Sequence, residues 1–348
     1  MLVEEFDYQL PSDLIAQFPT PERDASRLMV IHRGEGRLEH TIFSKIDNYF
    51  DSGDIVVVND TKVRPARIFG YKATGGRVEV LLLNPLKNQE YPKGRNVWEV
   101  LIKCSKNPRI GSDLDFGPEL SAQVLRQKED GLWDIELRYA GDLEEILARV
   151  GKTPLPPYIK RENFDQEPFD RTCYQTIFAR KFGSAAAPTA GLHFTEKLIN
   201  RVKERGVEVL SVTLHVGLGT FQPVREEKVK DHRMHSEFYE MTPETRERLV
   251  DARARGQRIV ACGTTSVRVL ETWTNENSIL SGFTDLFVYP GYQFQVIKGM
   301  ITNFHLPCST LLMLVSAFAG KQLIFKAYHE AIEKRYRFYS YGDAMLIL

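Results

Sequence analysis

Paired cysteines are missing from this sequence. Its four cysteines lie far apart along 348 residues, so neither a CxxC motif nor the spacing of a zinc ribbon occurs. A chain of this length can form a large hydrophobic core and does not need a disulfide framework. We therefore expect reduced thiols at Cys104, Cys173, Cys262 and Cys308.

Excess charge and long apolar runs are missing as well. Lys plus Arg equals Asp plus Glu at 46 each, which argues against a non-specific nucleic-acid binder but is compatible with a local basic face. The longest apolar run, LLMLVSAFAG, has about half of the roughly 20 residues that a membrane span needs. The first residues, MLVEEFDYQLPSD, lack the apolar core of a signal peptide. We expect a soluble, cytoplasmic protein.

Strand-like runs dominate residues 64–139, where GRVEVLLL, NVWEVLIK, SAQVLRQ and LWDIELRY follow one another with little helix between them. This pattern is typical of a small barrel or sandwich. In the second half of the chain, strands alternate with helices whose predicted caps are Thr195, Thr242 and Ser309, which indicates a mostly parallel sheet covered by helices. The sequence thus predicts an α/β body interrupted by a β-rich insertion.

The run ACGTTSVRVLE, residues 261–271, predicts a strand that turns into a helix. Ligands of open α/β sheets bind beyond the carboxyl ends of strands, where helix N-termini present free N–H groups. Thr264 and Thr265 add hydroxyls at this turn, and Arg268 and Glu271 follow one helical turn later. The alternative is a capped helix with a surface ion pair. A P-loop is excluded because its Gly-Lys-Thr/Ser ending is missing.

Histidines cluster with a carboxylate in DHRMHSEFYE, residues 231–240. His232, His235 and Glu237 carry the atom types that zinc or iron binds, but their spacing matches no metal motif. An acid/base or hydrogen-bonding role is favoured over a metal, and an ordinary hydrogen-bonded loop histidine is the alternative.

Two further histidines precede loops. His215 ends a strand in TLHVGLGTFQPV, just before Gly217 and Gly219, so this loop either wraps a small ligand or forms a turn beside a core histidine. The dinucleotide-binding fingerprint fails there, because the third glycine and the following helix are missing. Asn303 and His305, in ITNFHLPCST, come just before a predicted buried helix that anchors their loop.

Small residues fill the uncharged run SAAAPTAGLHF, residues 184–194. Such residues allow close approach of the backbone to a neighbour, and Gly191 adds conformational freedom. The run is therefore either one wall of a pocket, with Thr189 and His193 beside it, or a tightly packed buried turn. Composition alone favours the buried turn.

Taken together and in this order, these blocks resemble the S-adenosylmethionine:tRNA ribosyltransferase-isomerase family of queuosine biosynthesis. The resemblance runs nearly from end to end and includes YQLPSDLIAQFPTPERDASRLMV, GDIVVVNDTKVRPARIFG, TPLPPYIKR, YQTIFARKFGSAAAPTAGLHFT, TNFHLPCSTLLMLVSAFAG and YRFYSYGDAMLIL. The central strands match more loosely, and Cys262 replaces a small apolar residue such as valine.

The resemblance implies a fold and a reaction. The implied fold is a mixed, mostly parallel α/β body at residues 1–63 and 153–348, covered by helices, with a small β-barrel inserted at 64–152. The implied reaction transfers and isomerises the ribosyl group of S-adenosylmethionine onto 7-aminomethyl-7-deazaguanine at the wobble position of tRNA. Epoxyqueuosine forms, and adenine and methionine are released. S-adenosylmethionine is consumed as a substrate, so we expect no cofactor, no metal, no membrane partner and a monomer.

This chemistry needs several positioned acid/base groups, each worth about 10²–10⁴-fold in rate. We predict that His193 and His215 line the ribosyl pocket and that His235 orients Glu237, and we take these four as the catalytic residues. Asp60 is expected to hold an amine or a ribose hydroxyl. The other predicted substrate-binding residues are Thr189, Gly191, Gly217, Gly219, Thr264, Thr265, Arg268, Glu271, Asn303 and His305.

Two rival functions fit the same residues, a nucleoside enzyme without an RNA partner and a non-catalytic S-adenosylmethionine sensor. A tRNA partner requires basic side chains on one face and aromatic rings for a flipped base. YRFYSYGD offers such rings, unless they pack in the core. Local basic clusters occur at Lys62, Arg64 and Arg67; Lys160 and Arg161; Arg171, Arg180 and Lys181; and Lys334, Arg335 and Arg337.

Overall fold

The computed structural model describes residues 1–86, 91–128, 131–163, 165–217, 224–274 and 279–348. The strands are β1 (Arg27–His32), β2 (Arg37–Ile42), β3 (Ile55–Asn59), β4 (Thr61–Val63), β5 (Arg67–Lys72), β6 (Arg77–Pro85), β7 (Arg95–Cys104), β8 (Asp113–Asp115), β9 (Leu120–Gln127), β10 (Leu132–Tyr139), β11 (Lys181–Ser184), β12 (Glu208–Leu214), β13 (Glu237–Glu240), β14 (Ile259–Cys262), β15 (Ser281–Thr284), β16 (Gly299–Asn303) and β17 (Ala344–Ile347). The α-helices are α1 (Leu143–Val150), α2 (Glu167–Cys173), α3 (Glu196–Glu204), α4 (Pro243–Ala254), α5 (Thr264–Thr272), α6 (Thr310–Ala319) and α7 (Lys321–Glu333).

A nine-stranded mixed sheet forms the body, in the order β15-β13-β12-β3-β14-β16-β17-β1-β2. The neighbours β12–β3, β3–β14, β14–β16 and β17–β1 are parallel, and the other four neighbouring pairs are antiparallel. The α/β body is therefore confirmed, whereas parallel pairs are not in the majority. The prediction extended the parallel pattern of the helix-alternating strands to the whole sheet, but the added strands β2, β13, β15 and β17 introduce antiparallel pairs.

Helices cover both faces of this sheet, and apolar side chains from both faces of its strands form the core. On one face, Phe43, Phe194 and Val202 pack against the strands, and on the other α5, α6 and α7 contribute the largest buried cluster. The three predicted caps are confirmed. The hydroxyls of Thr195, Thr242 and Ser309 each accept the N–H three residues later, at 3.1–3.2 Å.

The last strand in chain order, β17, lies inside the sheet. It pairs in parallel with β1 and antiparallel with β16, and all four of its residues are fully buried. The segment 344–347 thus joins the β1–β2 hairpin to the rest of the sheet.

The predicted β-rich segment forms a closed barrel in the order β10-β7-β6-β5-β8-β9. Alternate residues of β6 and their neighbours point inward, so the barrel has an apolar core of its own that includes Ile68, Val80, Val100 and Ile135. At its neck, Arg67 and Lys152 exchange two backbone hydrogen bonds of 3.2 and 2.8 Å. The barrel strands fall within residues 64–152, which we retain as the proposed limits of the inserted domain.

Within the described residues, no single helix is long and apolar enough to cross a membrane. In the part of the chain that the structure describes, one helix pair meets the length and composition criteria when taken together, α6 and α7, which bend by 114° at their junction.

Candidate active site

Four parallel strands deliver polar residues to one edge of the sheet. β12, β3, β14 and β16 run in the same direction, so their carboxyl ends lie side by side. The residues that follow them begin at His215, Asp60, Gly263 and Phe304 respectively. These strand ends carry predicted site residues from separate segments of the chain, and the sheet places them side by side.

A pocket opens at this edge. The empty space between its walls and across its open mouth is about 380 Å³. The ends of β12, β14 and β16 and the run of small residues contribute to its wall, which consists of Ala187, Pro188, Thr189, Ala190, Val216, Gly263, Thr264, Thr265, Thr302, Asn303, His305 and Leu311. The run of small residues is thus a pocket wall as well as a buried turn, because Ala187 and Ala190 are buried and face the pocket.

The amino end of α5 forms one side of the pocket. Gly263 has φ +88°, a left-handed conformation that lets β14 turn directly into the helix, and no side chain of the described residues caps it. First-turn N–H groups have no carbonyl of their own helix to bind. The hydroxyl of Thr265 is buried without a hydrogen-bond partner among the described residues, and the residue is only 8% exposed. A buried orphan hydroxyl at a helix N-terminus is suited to bind an oxygen-rich or anionic group.

Asn303 is the centre of a buried hydrogen-bond network. Its Nδ2 donates to the carbonyl of Tyr339 at 3.2 Å and to Nε2 of His193 at 3.1 Å, while its Oδ1 accepts from the Thr189 hydroxyl at 3.3 Å. His193 therefore carries its proton on Nδ1, which donates to the Ser26 hydroxyl at 2.7 Å. These contacts fix the Asn303 amide, which lines the pocket.

His193 lies behind Asn303 and lines a second cavity together with Leu192 and Ser340. That it lines the ribosyl pocket stays a prediction. Its ring stacks on Phe43 with centroids 4.9 Å apart. Desolvation by burial, with a smaller contribution from the charge of Arg337, lowers the pKa of His193 to about 3. Since the imidazole is neutral at pH 7, it positions Asn303 and is a weak proton acceptor.

His305 does line the pocket. Its Nε2 lies 2.8 Å from the Thr302 hydroxyl, its backbone N–H donates to the Tyr328 hydroxyl, and its carbonyl accepts from the Tyr8 hydroxyl. Burial lowers the pKa of His305 to about 3, so this imidazole is also neutral at pH 7.

Glu237 is oriented by Arg268 and not by His235. One carboxylate oxygen accepts from Nη1 of Arg268, and the other accepts the N–H of Gly217 at 2.6 Å. Arg268 also donates to the carbonyls of Thr284 and Leu286 at 3.0 and 3.2 Å. The prediction was wrong because Glu237 points into the core where β13 begins, whereas His235 lies in an exposed segment. The ion pair fixes the strand end that carries the pocket residue Val216.

Glu271 holds a loop and lies away from the pocket wall. Its carboxylate accepts the backbone N–H groups of Gln295, Val296 and Ile297 at 2.8–3.1 Å, as well as the Tyr292 hydroxyl at 3.2 Å. The alternative of a surface ion pair between Arg268 and Glu271 is wrong, since both side chains are buried with other partners.

Asp60 and His215 lie next to each other in the fold, at the ends of β3 and β12. Asp60 is buried and accepts the Thr213 hydroxyl at 2.6 Å. His215 has its Nδ1 2.8 Å from the Thr61 hydroxyl and directly precedes Val216 of the pocket wall. Gly219 lies outside the described residues, and Gly191 is a packing residue, since a Cβ there would be 3.0 Å from Thr176.

Gly183 packs directly against the His215 ring. A Cβ at this position would lie 2.5 Å from Nε2 of His215, closer than van der Waals contact allows. We expect Gly183→Ala to displace His215 from Thr61 and to lower turnover about 10-fold or more, as misplaced acid/base or positioning groups do. Steady-state kinetics tests this. Gly34→Ala is the control, because a Cβ there meets no atom within 4 Å, and equal activity of both variants would contradict the expectation.

Most of the predicted tRNA-binding cations are paired with carboxylates or backbone carbonyls. Arg64 bonds Glu144 and Arg161 bonds Asp170 through two nitrogens each. The rings of YRFYSYGD are core residues, since Tyr336, Phe338 and Tyr341 are buried. The alternative of core packing is therefore correct for this segment.

His232 pairs with Glu226 at 2.9 Å, apart from the pocket. Among the described ranges, no group of three His, Cys, Asp or Glu side chains is arranged to hold a metal ion.

The whole chain is similar to proteins of queuosine biosynthesis. A family model described as queuosine biosynthesis protein matches residues 3–347. Two proteins named S-adenosylmethionine:tRNA ribosyltransferase-isomerase, from Desulforamulus reducens and Halothermothrix orenii, are 50% and 49% identical over 353 aligned residues that cover 100% of each chain. A crystal structure of S-adenosylmethionine tRNA ribosyltransferase from Thermotoga maritima is 38% identical with a TM-score of 0.55, covering 99% of this chain and 100% of the other.

Proposed function

Because the chain belongs to the queuosine biosynthesis family and matches its ribosyltransferase-isomerases over their full length, we infer that it is an S-adenosylmethionine:tRNA ribosyltransferase-isomerase. Its substrates are therefore S-adenosylmethionine and tRNA. We extend this to the acceptor 7-aminomethyl-7-deazaguanine at the wobble position, with epoxyqueuosine-tRNA, adenine and methionine as products. The proposal includes a monomer that works in the cytoplasm, where tRNA is modified, and that needs no cofactor, since S-adenosylmethionine itself is consumed.

The pocket at the amino end of α5 is the observation that supports S-adenosylmethionine binding. S-adenosylmethionine carries a carboxylate and ribose hydroxyls, and the free N–H groups of α5 with the orphan Thr265 hydroxyl match such oxygen atoms. The small side chains of Ala187 and Ala190 leave space for a bulky nucleoside on the opposite wall. Among the described residues, no charged side chain lines the pocket, so neutral donors and acceptors provide the recognition there.

The low pKa values of His193 and His305 limit the roles that these two histidines can have in the reaction. The reaction removes a proton from the ribose carbon next to the sulfonium, expels adenine and joins an amine to the ribosyl group. His193 and His305, with pKa values of about 3, are poor bases at neutral pH. We therefore assign His305 to hydrogen bonding with substrate and His193 to positioning Asn303. We assign acid/base work to other groups, and the candidates are Asp60 and His215, which follow the neighbouring strands β3 and β12.

A turnover assay tests the reaction. Purified protein, S-adenosylmethionine and tRNA carrying the deazaguanine amine are combined, and adenine and the modified nucleoside are measured by mass. Adenine release with a ribosyl-sized mass gain on the tRNA is the expected result. Modification of the free deazaguanine base without tRNA would favour a nucleoside enzyme, and binding of S-adenosylmethionine without adenine release would favour a sensor.

Thr265→Val tests the pocket itself. Loss of the orphan hydroxyl removes about one hydrogen bond, worth 0.5–1.5 kcal/mol, so the Kd for S-adenosylmethionine is expected to rise about 2- to 13-fold. Calorimetric titration measures this in the absence of tRNA. Thr265→Ser retains the hydroxyl and is expected to bind nearly as the parent protein does. Unchanged affinity in the valine variant would remove α5 from the binding site.

A further inference from the structure

Several aromatic rings, two of them exposed, lie near the pocket. We call Phe182, His215, Phe238 and Phe283 the aromatic strip. Phe182 is 43% exposed and Phe283 is 69% exposed, although large apolar side chains normally avoid such exposure when they neighbour one another. The proposed S-adenosylmethionine pocket does not use the exposed rings of Phe182 and Phe283.

Three of the four rings, those of His215, Phe238 and Phe283, contact one another in sequence. Phe182 lies on β11 opposite Lys62 of β4, and the next residue, Gly183, packs on the His215 ring. His215 stacks on Phe238 with centroids 5.7 Å apart and planes at 23°. Phe238 meets Phe283 edge to face at 5.6 Å, directly across the β13–β15 ladder. The three contacting rings therefore lie at the end of β12 and on the adjacent strands β13 and β15, whereas Phe182 lies on β11 of the separate two-stranded sheet.

The strip leads from the pocket mouth to the edge of the sheet. His215 directly precedes Val216, which lines the pocket, and Phe283 lies on β15, the outermost strand. A molecule whose reacting group enters the pocket can place its neighbouring parts on the strip. The apolar core beneath does not account for the exposure of the two outer rings. Their exposure indicates a surface that a partner covers.

Positive charge lies at the Phe182 end of the strip. The Lys62 ammonium stands 4.3 Å from the centre of the Phe182 ring. Arg180 is exposed next to β11, and Lys181 pairs with Glu240 at 2.9 Å. Lys181 neutralises the Glu240 carboxylate. Lys62 and Arg180 therefore supply a local positive excess in a chain of zero net charge. The exposed Asp285 follows β15 at the other end of the strip, so the two ends of the strip differ in charge.

We propose that the aromatic strip binds the unpaired anticodon-loop nucleotides that flank the modified base of the tRNA. Bases stack on Phe182 and Phe283, and Lys62 and Arg180 bind the adjacent phosphates. Aromatic rings with nearby cations are the usual surface for single-stranded RNA, because every base has a π-face and every linkage a negative charge. The assignment rests on the proposed function, since it takes tRNA as the substrate.

Phe182→Ala and Phe283→Ala test the strip through two separate readouts. Direct binding of tRNA is measured by fluorescence anisotropy, and each variant is expected to raise the Kd about 5- to 160-fold, the range for loss of one stacked base. Calorimetric titration is expected to give the parent Kd for S-adenosylmethionine. Phe182→Trp keeps a stacking face and should retain tRNA affinity. Phe169→Ala is the matched control, since Phe169 is also 43% exposed but lies on α2 outside the strip.

Lys62→Ala adds an electrostatic test. Loss of one phosphate contact lowers the slope of log Kd against log salt by about 1. The strip proposal is overturned if both alanine variants bind tRNA as tightly as the parent protein, or if Phe169→Ala weakens binding equally. A parent protein that binds tRNA through the strip but releases no adenine would overturn the proposed reaction and leave the strip standing. Absence of tRNA binding by the parent protein would overturn both.

Discussion

Acidification from pH 6.5 to pH 5 is expected to lower the free energy of unfolding by about 3 kcal/mol. His193 and His305 have pKa values of about 3 in the folded protein, because burial disfavours their charged forms. In the unfolded chain the pKa returns to about 6.5. Below pH 6.5 the unfolded state thus takes up two protons that the folded state does not bind. The free energy of unfolding therefore decreases as the pH is lowered, until the folded pKa values are reached.

Urea unfolding at half-unit steps between pH 6.5 and 5 measures this dependence. Carboxylates titrate mainly below this window, which leaves the imidazoles as the main contributors. His193→Gln removes one of the two buried imidazoles, so it should roughly halve the slope of stability against pH even if the variant is less stable at every pH. A slope that stays the same in this variant would show that His193 is not held neutral by burial.

Arg268→Met is expected to destabilise the protein by about 3–5 kcal/mol, the usual cost of breaking one side of a buried ion pair. The substitution leaves the Glu237 carboxylate buried without its cation and removes the donors to the Thr284 and Leu286 carbonyls. Thermal and urea unfolding measure the loss. Turnover should fall as well, because Glu237 also holds the N–H of Gly217 next to the pocket.

The double variant Arg268→Met with Glu237→Leu separates these two effects. Replacement of both charges by apolar side chains of similar volume removes the unpaired charge, so much of the lost stability should return. Activity should stay low, because the anchor of Gly217 is still missing. A single variant as stable as the parent protein would contradict the buried ion pair.

Local sequence signals predicted much of the site. The turn from β14 into α5 was visible from an apolar strand, a glycine and two threonines in succession, and the caps at Thr195 and Thr242 were visible from their residue types. The parallel order of the strand ends then required that their loops meet. These features depend on residues a few positions apart in the chain, or on the common direction of parallel strands.

Contacts between distant residues were not predictable in the same way. Glu237 and Arg268 are 31 positions apart on different elements, and nothing near Glu237 in the chain indicates Arg268 as its partner. His193 was expected to face the ligand, but its orientation depends on Ser26 and Asn303, which are 167 and 110 positions away. Burial and tautomer are set by such tertiary contacts, so a histidine in a suggestive motif could not be assigned a proton-transfer role from sequence.

The position of β17 has a consequence for synthesis. A nascent chain emerges from the ribosome with β1, β2 and the other body strands made first, yet the gap between β1 and β16 is filled only when residues 344–347 arrive. Until then two unpaired strand edges face each other, and such edges promote association with other chains. A chain that lacks β17 would therefore leave the sheet divided between β16 and β1. Chaperones or proteases would recognise such a chain by its two unpaired strand edges.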